Sequence, residues 1–259
     1  MQPKSSGIIT LTTDFGAADS YVGAMKGVLV TIAPSARIVD ISNEIPPQNI
    51  ERGAWVLAEA APYFPDGTVH IGVVDPGVGS ERRAIAIATE RAFFVGPDNG
   101  LLASAVKTLG AIVKVVELTN AQFRLPQASS TFHGRDIFAP AAAHLAMGGA
   151  INGFGESLSE IVALDLAMPT RRDHEIEGRV VYVDRFGNLI TNIFASDVGP
   201  SARAIVGTDD LGPIATTYAS VAMGQAVAIV GSNGRVEIAV RDGSALARFG
   251  DSPVVVVRW

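Results

Sequence analysis

The stretch VVDPGVGSERR, residues 73–83, ends a buried strand and opens a polar loop. The mostly apolar residues 69–74 predict the strand, and the following Asp-Pro-Gly sequence is too rich in proline and glycine to continue it. Asp75 therefore stands at the carboxyl end of a strand, with Arg82 seven positions later. Open α/β proteins present polar chemistry at this edge. A plain turn with solvated arginines has the same sequence signature, so the choice depends on the other segments of the chain.

Strands and helices alternate through the first part of the chain. Apolar, β-branched runs predict strands, and the segments between them have helical periodicity. The predicted strands lie at 8–13, 37–42, 68–74, 84–88, 92–95 and 113–117, the fourth and fifth forming a hairpin, and the predicted helices lie at 18–32, 50–63, 99–109 and 136–147. This order predicts an α/β domain whose largely parallel sheet is covered by helices on both faces.

The pattern changes after about Pro169. Short Val/Ile-rich runs separated by glycine turns predict strands at 180–184, 189–193, 204–206, 226–230, 236–240 and 254–257. Short, evenly spaced strands are typical of a small barrel or sandwich. With residues 169–173 as a linker, we predict an α/β N-terminal domain at 1–169 and a small all-β, barrel-like C-terminal domain at 174–259.

Composition excludes several classes of function. The 259 residues carry a net charge of −6 without a Lys/Arg-rich run, which argues against nucleic acid as a partner. The chain has no cysteine, which excludes disulfides, thiolate metal sites and cysteine nucleophiles. We find no signal peptide, no membrane-spanning run and no His/Asp/Glu cluster with metal-ligand spacing. We therefore expect a cytoplasmic protein without a metal site.

Two acidic residues follow predicted strands, Asp14 after the first strand and Asp75 after the third. The carboxyl ends of parallel strands share one edge of a sheet, so both carboxylates could border one crevice. A carboxylate at such an edge commonly accepts hydrogen bonds from a ribose diol. Asp14 could equally be the N-cap of the following helix.

His133 lies just before a predicted helix, within the sequence TFHGRD. The positive end of the helix dipole favours a neutral imidazole there, which suits proton exchange or the polarisation of a small oxygen nucleophile. We interpret Asp136 as the cap of this helix and not as a reactive group.

A polar DRFGN turn interrupts the strand pattern of the second half. Phe186, between Asp184 and Asn188, offers an aromatic face beside carboxylate and amide groups, which suits a purine. A plain hairpin explains the same residues. Ser232 and Asn233 lie in a Gly-Ser-Asn-Gly sequence that on its own predicts only another hairpin.

Five segments together resemble the S-adenosyl-L-methionine hydroxide adenosyltransferases, the water-using relatives of fluorinase and chlorinase. In chain order they are TTDFG at 12–16, DPGVG at 75–79, GPDNGL at 96–101, HGRD at 133–136 and DRFGN at 184–188. Each segment alone is a weak signal. The ordered set extends from about residue 8 to the C-terminus and is specific to this family.

The resemblance implies hydrolysis of S-adenosyl-L-methionine to adenosine and L-methionine. The catalytic Asp, Arg and His of the family correspond to Asp75, Arg82 and His133. Arg83 is the competing position for the arginine. The resemblance also implies the two-domain architecture inferred above and a homotrimer, in which each site is shared between the N-terminal domain of one subunit and the C-terminal domain of its neighbour.

In such a site Asp75 and His133 would hold and polarise a water in line with the ribose C5′ atom. Arg82 would orient Asp75 and keep it ionised. Asp14 would bind the ribose hydroxyls. The adenine or methionine parts of the substrate would be held by residues of the neighbouring subunit, namely Asp184, Phe186 and Asn188, with Ser232 and Asn233 nearby. No cofactor is implied, because the sulfonium leaves as a neutral thioether.

Halogenation is disfavoured by the same residues. The halogenating relatives have a tyrosine at the position of Asp75 and lack the matching Arg and His. A carboxylate beside a halide would repel the anion. The chain between Arg83 and Asn99 also lacks the loop insertion of the fluorinase.

Two other classes of function stay open at the level of sequence. One is a nucleosidase that acts on an adenosine derivative and cleaves at C1′. The other is a non-catalytic protein that binds S-adenosyl-L-methionine as a sensor. The presence of Asp75, Arg82 and His133 together counts against the sensor, because binding alone gives no reason for such a set.

Overall fold

The computed structural model describes residues 1–259 and divides into two compact units, Met1–Asp165 and Leu166–Trp259. The domain limits 1–169 and 174–259 stay a prediction. Part of the segment predicted as a linker is a short strand, Thr170–Arg172, which pairs with the next strand of the second unit.

The first unit is a six-stranded sheet with helices on both faces. Its strands are β1 (Ile8–Thr13), β2 (Arg37–Ser42), β3 (Val69–Val73), β4 (Ala84–Thr89), β5 (Phe93–Pro97) and β6 (Ile112–Glu117). Its α-helices are α1 (Tyr21–Ile32), α2 (Ile50–Ala60), α3 (Ala103–Thr108) and α4 (Ala139–Ala146). Short 3-10 turns lie at Ala61–Tyr63, Ala121–Phe123 and Ile151–Gly153, and a π-helical turn at Gly134–Phe138 precedes α4. Every strand predicted in this unit is present.

The sheet is mixed, so the prediction of a largely parallel sheet is wrong. In the order β2-β1-β3-β5-β4-β6, the first four strands are parallel neighbours, whereas β4 runs antiparallel to both β5 and β6. Only residues 90–92 separate β4 from β5, and an antiparallel hairpin is the pairing that so short a connection can close. The predicted hairpin is confirmed, and it inserts one reversed strand into the sheet.

The pleat of the sheet divides the apolar side chains between two cores. On β4, Ala84, Ala86 and Ala88 face the core that contains α1 and α4. Ile85 and Ile87 face the core that contains α2 and α3. This alternation with period two is what a strand covered on both sides requires.

A buried polar contact joins β1 to β3, the two strands that lead into Asp14 and Asp75. Thr10 lies opposite His70 in the parallel register, and the Thr10 Oγ1 and His70 Nδ1 atoms are 2.8 Å apart. His70 is fully buried, its ring stacks on Phe94 with centroids 5.2 Å apart, and its Nε2 atom has no hydrogen-bond partner. Burial lowers the pKa of His70 to about 4, so the fold requires the neutral imidazole.

The second unit is an antiparallel sheet that nearly closes into a barrel, which confirms the barrel-like prediction. The strands are β7 (Thr170–Arg172), β8 (Glu175–Val183), β9 (Leu189–Phe194), β10 (Arg203–Val206), β11 (Asp209–Pro213), β12 (Ala226–Val230), β13 (Arg235–Val240) and β14 (Val254–Arg258), with one helix, α5 (Ala245–Phe249). Short 3-10 turns lie at Ala195–Asp197 and Tyr218–Ser220. The order is β11-β10-β14-β8-β9-β13-β12, with β7 on β8, and a bridge between Ala215 and Ile229 brings the two ends of the sheet together.

The sequence patterns missed two strands of this sheet. The sequence of β11 is DDLGP, which contains residues that are depleted in strands, and β7 is a run of three exposed polar residues. Pairing with a neighbouring strand holds each of them in place. No helix in either unit has the length and apolar character needed to cross a membrane.

The neutral His70 makes the stability of the protein depend on pH. The unfolded chain takes up a proton near pH 6.5, whereas the folded chain resists protonation until about pH 4. The contribution of His70 to the free energy of unfolding is therefore complete above pH 6.5 and falls as the pH is lowered, with about 3 kcal/mol lost by pH 4. Urea unfolding between pH 7 and pH 4 should show this loss in the wild type and a smaller loss in His70→Gln.

Exposed His174 provides the matched control, since His174→Gln should keep the pH dependence of the wild type. An unchanged pH dependence in His70→Gln would refute this assignment of the buried imidazole.

Candidate active site

The loop between β3 and β4 brings Asp75 and Arg82 together. It turns through hydrogen bonds from Val78 N to Asp75 O and from Ser80 N to Gly77 O, 3.2 and 3.1 Å long. Arg82 Nε lies 3.0 Å from both carboxylate oxygens of Asp75, and Nη2 lies 2.5 Å from Oδ2. The side chains of Asp75 and Arg82 are 5% and 11% exposed, so this is a largely buried, bidentate ion pair.

His133 meets the same arginine from the other side. Arg82 Nη2 lies 2.7 Å from His133 Nδ1. A guanidinium can only donate, so Nδ1 accepts this hydrogen bond and the proton of the neutral ring is on Nε2. Burial, and after it the positive charge of Arg82, lowers the pKa of His133. The ring of Phe138 packs beneath the guanidinium, 5.4 Å from its Cζ.

Arg82 and Arg83 have separate partners. Arg83 donates through Nε and Nη2 to Oδ2 of Asp98, at 2.8 and 2.5 Å. Asp98 Oδ1 in turn accepts from the Val162 backbone N–H. Arg82 is therefore the arginine that contacts Asp75 and His133, while Arg83 fastens a later segment of the chain to the sheet.

Gly79 lets this loop lie against the segment that leads to His133. It has φ +79°, and a Cβ at this position would be 2.6 Å from the carbonyl oxygen of Ser130. A residue with a side chain would be strained in this conformation and would clash with Ser130 unless one of the two loops moved. The close approach keeps Arg82 within reach of His133.

Asp14, Asp75 and His133 line one cleft of about 390 Å³. This volume lies within the range of small-molecule sites. Asp14 does not cap α1, whose N-cap position is Ser20. Its Oδ2 accepts from the Gln48 backbone N–H at 2.8 Å. Three of the four residues predicted in the first unit thus line one cavity, and the fourth, Arg82, contacts both Asp75 and His133.

The interpretation of Asp136 as a helix cap is wrong. His133 occupies the N-cap position, and Asp136 is buried in the first turn, where Arg135 and the Ser129 backbone N–H donate to its carboxylate. Although burial opposes its ionisation, the hydrogen bonds from Arg135 and Ser129 lower the pKa of Asp136. The carboxylate therefore fastens the loop that carries His133.

The predicted residues of the second unit lie on two turns. Asp184 Oδ1 accepts from the backbone N–H groups of Phe186 and Asn188, at 2.8 and 2.9 Å, which closes the β8–β9 turn. Phe186 is 78% exposed. Asn233, on the β12–β13 turn, donates from Nδ2 to the Tyr182 hydroxyl at 3.1 Å, beside exposed Ser232.

A second cavity, of about 630 Å³, lies within the second unit. Phe186 and Asn188 line it together with Tyr218 and residues 240–243, whereas Ser232 and Asn233 do not. An exposed aromatic ring with an amide at the wall of a cavity fits a planar heterocycle. Of the five predicted residues of this unit, Phe186 and Asn188 line the cavity and Asp184 stabilises the turn that carries them. Ser232 and Asn233 lie on a different turn, outside the cavity.

The sequence analysis missed a buried acid in this unit. Glu237, on β13, accepts a hydrogen bond of 2.6 Å from the Tyr218 hydroxyl. Burial raises the pKa of Glu237, and loss of solvent together with the hydrogen bond to Glu237 raises the pKa of Tyr218. Glu237 could have been noticed in the sequence, because it is the one charged residue in the apolar run VEIAV at 236–240. A buried strand normally excludes a lone carboxylate, so its presence indicates a buried partner.

Three aromatic side chains also line the first cleft, and none of them was predicted as a site residue. Phe15, Tyr21 and Phe132 all line the cavity beside Asp14 and His133. Phe15 and Phe132 are adjacent in sequence to the predicted polar residues. Tyr21 carried no local signal, because it lies at the start of a helix with an ordinary apolar pattern.

Comparison with known proteins gives a consistent result. The SAM hydroxide adenosyltransferase N-terminal domain model matches residues 9–155, and the corresponding C-terminal domain model matches residues 178–256. The (R)-S-adenosyl-L-methionine hydrolase of Salinispora tropica is 42% identical over 248 residues, which cover 95% of this chain and 94% of the relative. A fluorinase of Nocardia brasiliensis is 28% identical over 277 residues, which cover 93% of this chain and 92% of the relative.

Among solved structures, an uncharacterized conserved protein from Thermotoga maritima superposes with a TM-score of 0.89 at 35% identity, covering 97% of this chain and 100% of that one. The fold, the order of the two domain models and the sequence identity agree with the resemblance of the five segments. This chain belongs to the SAM hydroxide adenosyltransferase family.

Proposed function

We propose that this chain hydrolyses S-adenosyl-L-methionine to adenosine and L-methionine by attack of a water on the ribose C5′ atom. The observation that carries the proposal is the contact of Asp75 with Arg82 and of Arg82 with His133 at the wall of a cleft. The 42% identical hydrolase supports the choice of substrate. The sulfonium departs as a neutral thioether, so the displacement requires neither a metal nor a cofactor.

The tautomer of His133 decides the roles within the site. With Nδ1 accepting from Arg82, the free ring position is Nε2–H, which is a donor. His133 then holds the water by donating to its oxygen, and it cannot take a proton at Nε2 while it is neutral. Its lowered pKa keeps the ring neutral near pH 7. Asp75 is therefore the group that accepts the proton of the water.

The step balances with these groups alone. As the water oxygen bonds to C5′, the C5′–S bond breaks and its electron pair stays on sulfur. The water proton passes to Asp75 and later to solvent. Holding the water in line with the bond that breaks can supply about 7–11 kcal/mol in ideal cases. Proton acceptance by a positioned carboxylate adds about 10²–10⁴-fold in rate.

The same carboxylate selects water over a halide. Water can donate a hydrogen bond to Asp75 and accept one from His133. A halide would meet the carboxylate as a second negative charge in a partly dry cleft. Asp14, at the same edge of the sheet, is the proposed acceptor for the ribose hydroxyls.

We further propose that the protein is a cytoplasmic homotrimer in which each cleft is completed by the second unit of a neighbouring subunit. Phe186 and Asn188 would hold the adenine or methionine part of the substrate, with Asp184 fixing their turn and Ser232 and Asn233 nearby. The exposed ring of Phe186 and the cavity beside it support a role in binding.

Replacement of Asp75 by asparagine tests the role of the carboxylate. Asp75→Asn preserves the size of the side chain but cannot accept the proton, so kcat should fall by about 10²–10⁴-fold while KM changes only a few-fold. Chromatographic detection of adenosine and methionine measures both constants. Glu81→Gln is the matched control, because it removes an exposed acid from the same loop and should keep wild-type activity.

Circular dichroism should confirm that both variants are folded. Turnover by Asp75→Asn at the wild-type rate would contradict the mechanism, and adenine as the product would move the reaction to C1′.

Mixing of inactive subunits tests the shared site. Asp75→Asn and Phe186→Ala should each lose most activity as homomers, and co-expression of the two chains should restore part of it, because some sites then combine two intact halves. A mixture of Asp75→Asn with His133→Gln is the control and should restore nothing, since both changes affect the same unit. Equal activity in the two mixtures would refute a site shared between subunits.

A further inference from the structure

Three aromatic side chains form one wall of the cleft that contains Asp75 and His133. The ring centroids of Phe15, Tyr21 and Phe132 are separated by 5.2 to 5.8 Å in all three pairings, and two of the pairs are edge-to-face. We refer to these three residues as the aromatic wall. Each of them lines the cleft.

The aromatic wall is built from three separate segments. Phe15 follows β1, Tyr21 begins α1, and Phe132 precedes the turn of His133. Gly134 permits the assembly, because a Cβ at this position would lie 3.3 Å from Phe15 Cε2 and 3.4 Å from Phe132 Cε2. The rings can therefore lie directly against the turn that positions His133.

The rings differ in how much of their surface is open. Phe15 and Phe132 are partly buried and pack against the apolar core of the first unit. Phe132 also has the Arg135 guanidinium over its ring, 4.9 Å from the centroid. Tyr21 is 47% exposed, so it is the ring of the wall with the most surface available to a ligand.

The charge of the substrate changes during the proposed reaction, and this limits what can hold it. The sulfonium is cationic before attack and neutral afterwards. A carboxylate paired with the sulfonium would stabilise the substrate more than the transition state and would slow the reaction. Two carboxylates line the cleft: Asp75 is paired with Arg82, and Asp14 accepts from the Gln48 backbone N–H and is the proposed acceptor for the ribose hydroxyls. An aromatic face attracts a cation more weakly than a carboxylate does, and it also makes a favourable contact with a neutral thioether.

We infer that Tyr21, supported by Phe15 and Phe132, recognises the sulfonium of S-adenosyl-L-methionine through a cation–π contact. The inference rests on the proposed function and states which part of the substrate contacts the aromatic wall. Tyr21 is then a specificity-determining residue, which favours a cationic ligand over a neutral one of similar shape. Its ring face, and not its hydroxyl, provides the interaction.

Two stable analogues separate charge from shape. Sinefungin carries an ammonium in place of the S-methyl group, next to the position of the sulfonium. S-adenosylhomocysteine is a neutral thioether, and neither compound undergoes the displacement. Isothermal titration of the full chain at pH 7.5 gives the ratio of their affinities. Tyr21→Leu should lower the preference for sinefungin about tenfold, which corresponds to about 1.4 kcal/mol. Tyr21→Phe should keep the wild-type ratio.

Tyr63→Leu is the matched control, because Tyr63 is 82% exposed and does not line the cleft. Its ratio should equal that of the wild type. An equal loss of affinity for both analogues in Tyr21→Leu, or no loss for either, would overturn the inference. The aromatic wall would then serve only in packing. A loss in Tyr21→Phe as large as in Tyr21→Leu would assign the effect to the hydroxyl and overturn it too.

The outcome for the wild type distinguishes this inference from the proposed function. Wild-type protein that hydrolyses S-adenosyl-L-methionine and binds both analogues, but shows no change of ratio in Tyr21→Leu, refutes the inference alone. Wild-type protein that neither hydrolyses S-adenosyl-L-methionine nor binds either analogue refutes the proposed function, and the inference with it.

Discussion

The largely buried ion pair of Arg82 with Asp75 is the interaction on which the candidate site depends. The side chain of Asp75 is 5% exposed, and the guanidinium supplies both the opposite charge and the hydrogen bonds that compensate for its loss of solvent. Because the guanidinium has no acceptor, its contact with His133 also selects the ring tautomer. Removal of Arg82 would leave a largely solvent-shielded carboxylate without its cation, which destabilises the folded state. Arg82 thus orients the carboxylate of Asp75 and determines which ring nitrogen of His133 is the donor.

The mixed sheet explains how Arg82 reaches Asp75 within seven residues. β4 runs opposite to β5, and β5 is parallel to β3. The start of β4 therefore lies at the sheet edge where β3 ends, and the loop leaves and re-enters the sheet at that edge. In a wholly parallel sheet the next strand would begin at the opposite edge, and Arg82 would be carried away from the cleft. The reversed strand is a condition for the site.

The sequence predicted the parts of the site that depend on local chemistry. Asp75 and His133 were predicted because strand ends and loop polarity are local signals. The resemblance pointed to Arg82 but left Arg83 as a competing position, and only the contacts of the two side chains in the structure separate them. The hairpin of β4 and β5 was predicted, but it also makes β4 antiparallel to both of its neighbours. The prediction of a largely parallel sheet did not take this into account. Asp136 was predicted as a cap from its position at the start of a helix, whereas its actual hydrogen bonds with Arg135 and Ser129 depend on the folded loop. The Tyr218–Glu237 pair and the aromatic wall depend on packing between distant segments, which local pattern does not contain.

Hydrolysis of S-adenosyl-L-methionine in ¹⁸O-labelled water, with mass-spectrometric analysis of the products, tests the central claim most directly. Attack of water on C5′ predicts adenosine with one ¹⁸O in its 5′-hydroxyl group and an equal amount of unlabelled methionine. Adenosine without the label would show that another nucleophile or another bond is involved. Release of adenine would place the reaction at C1′ and would contradict the roles assigned to Asp75, Arg82 and His133.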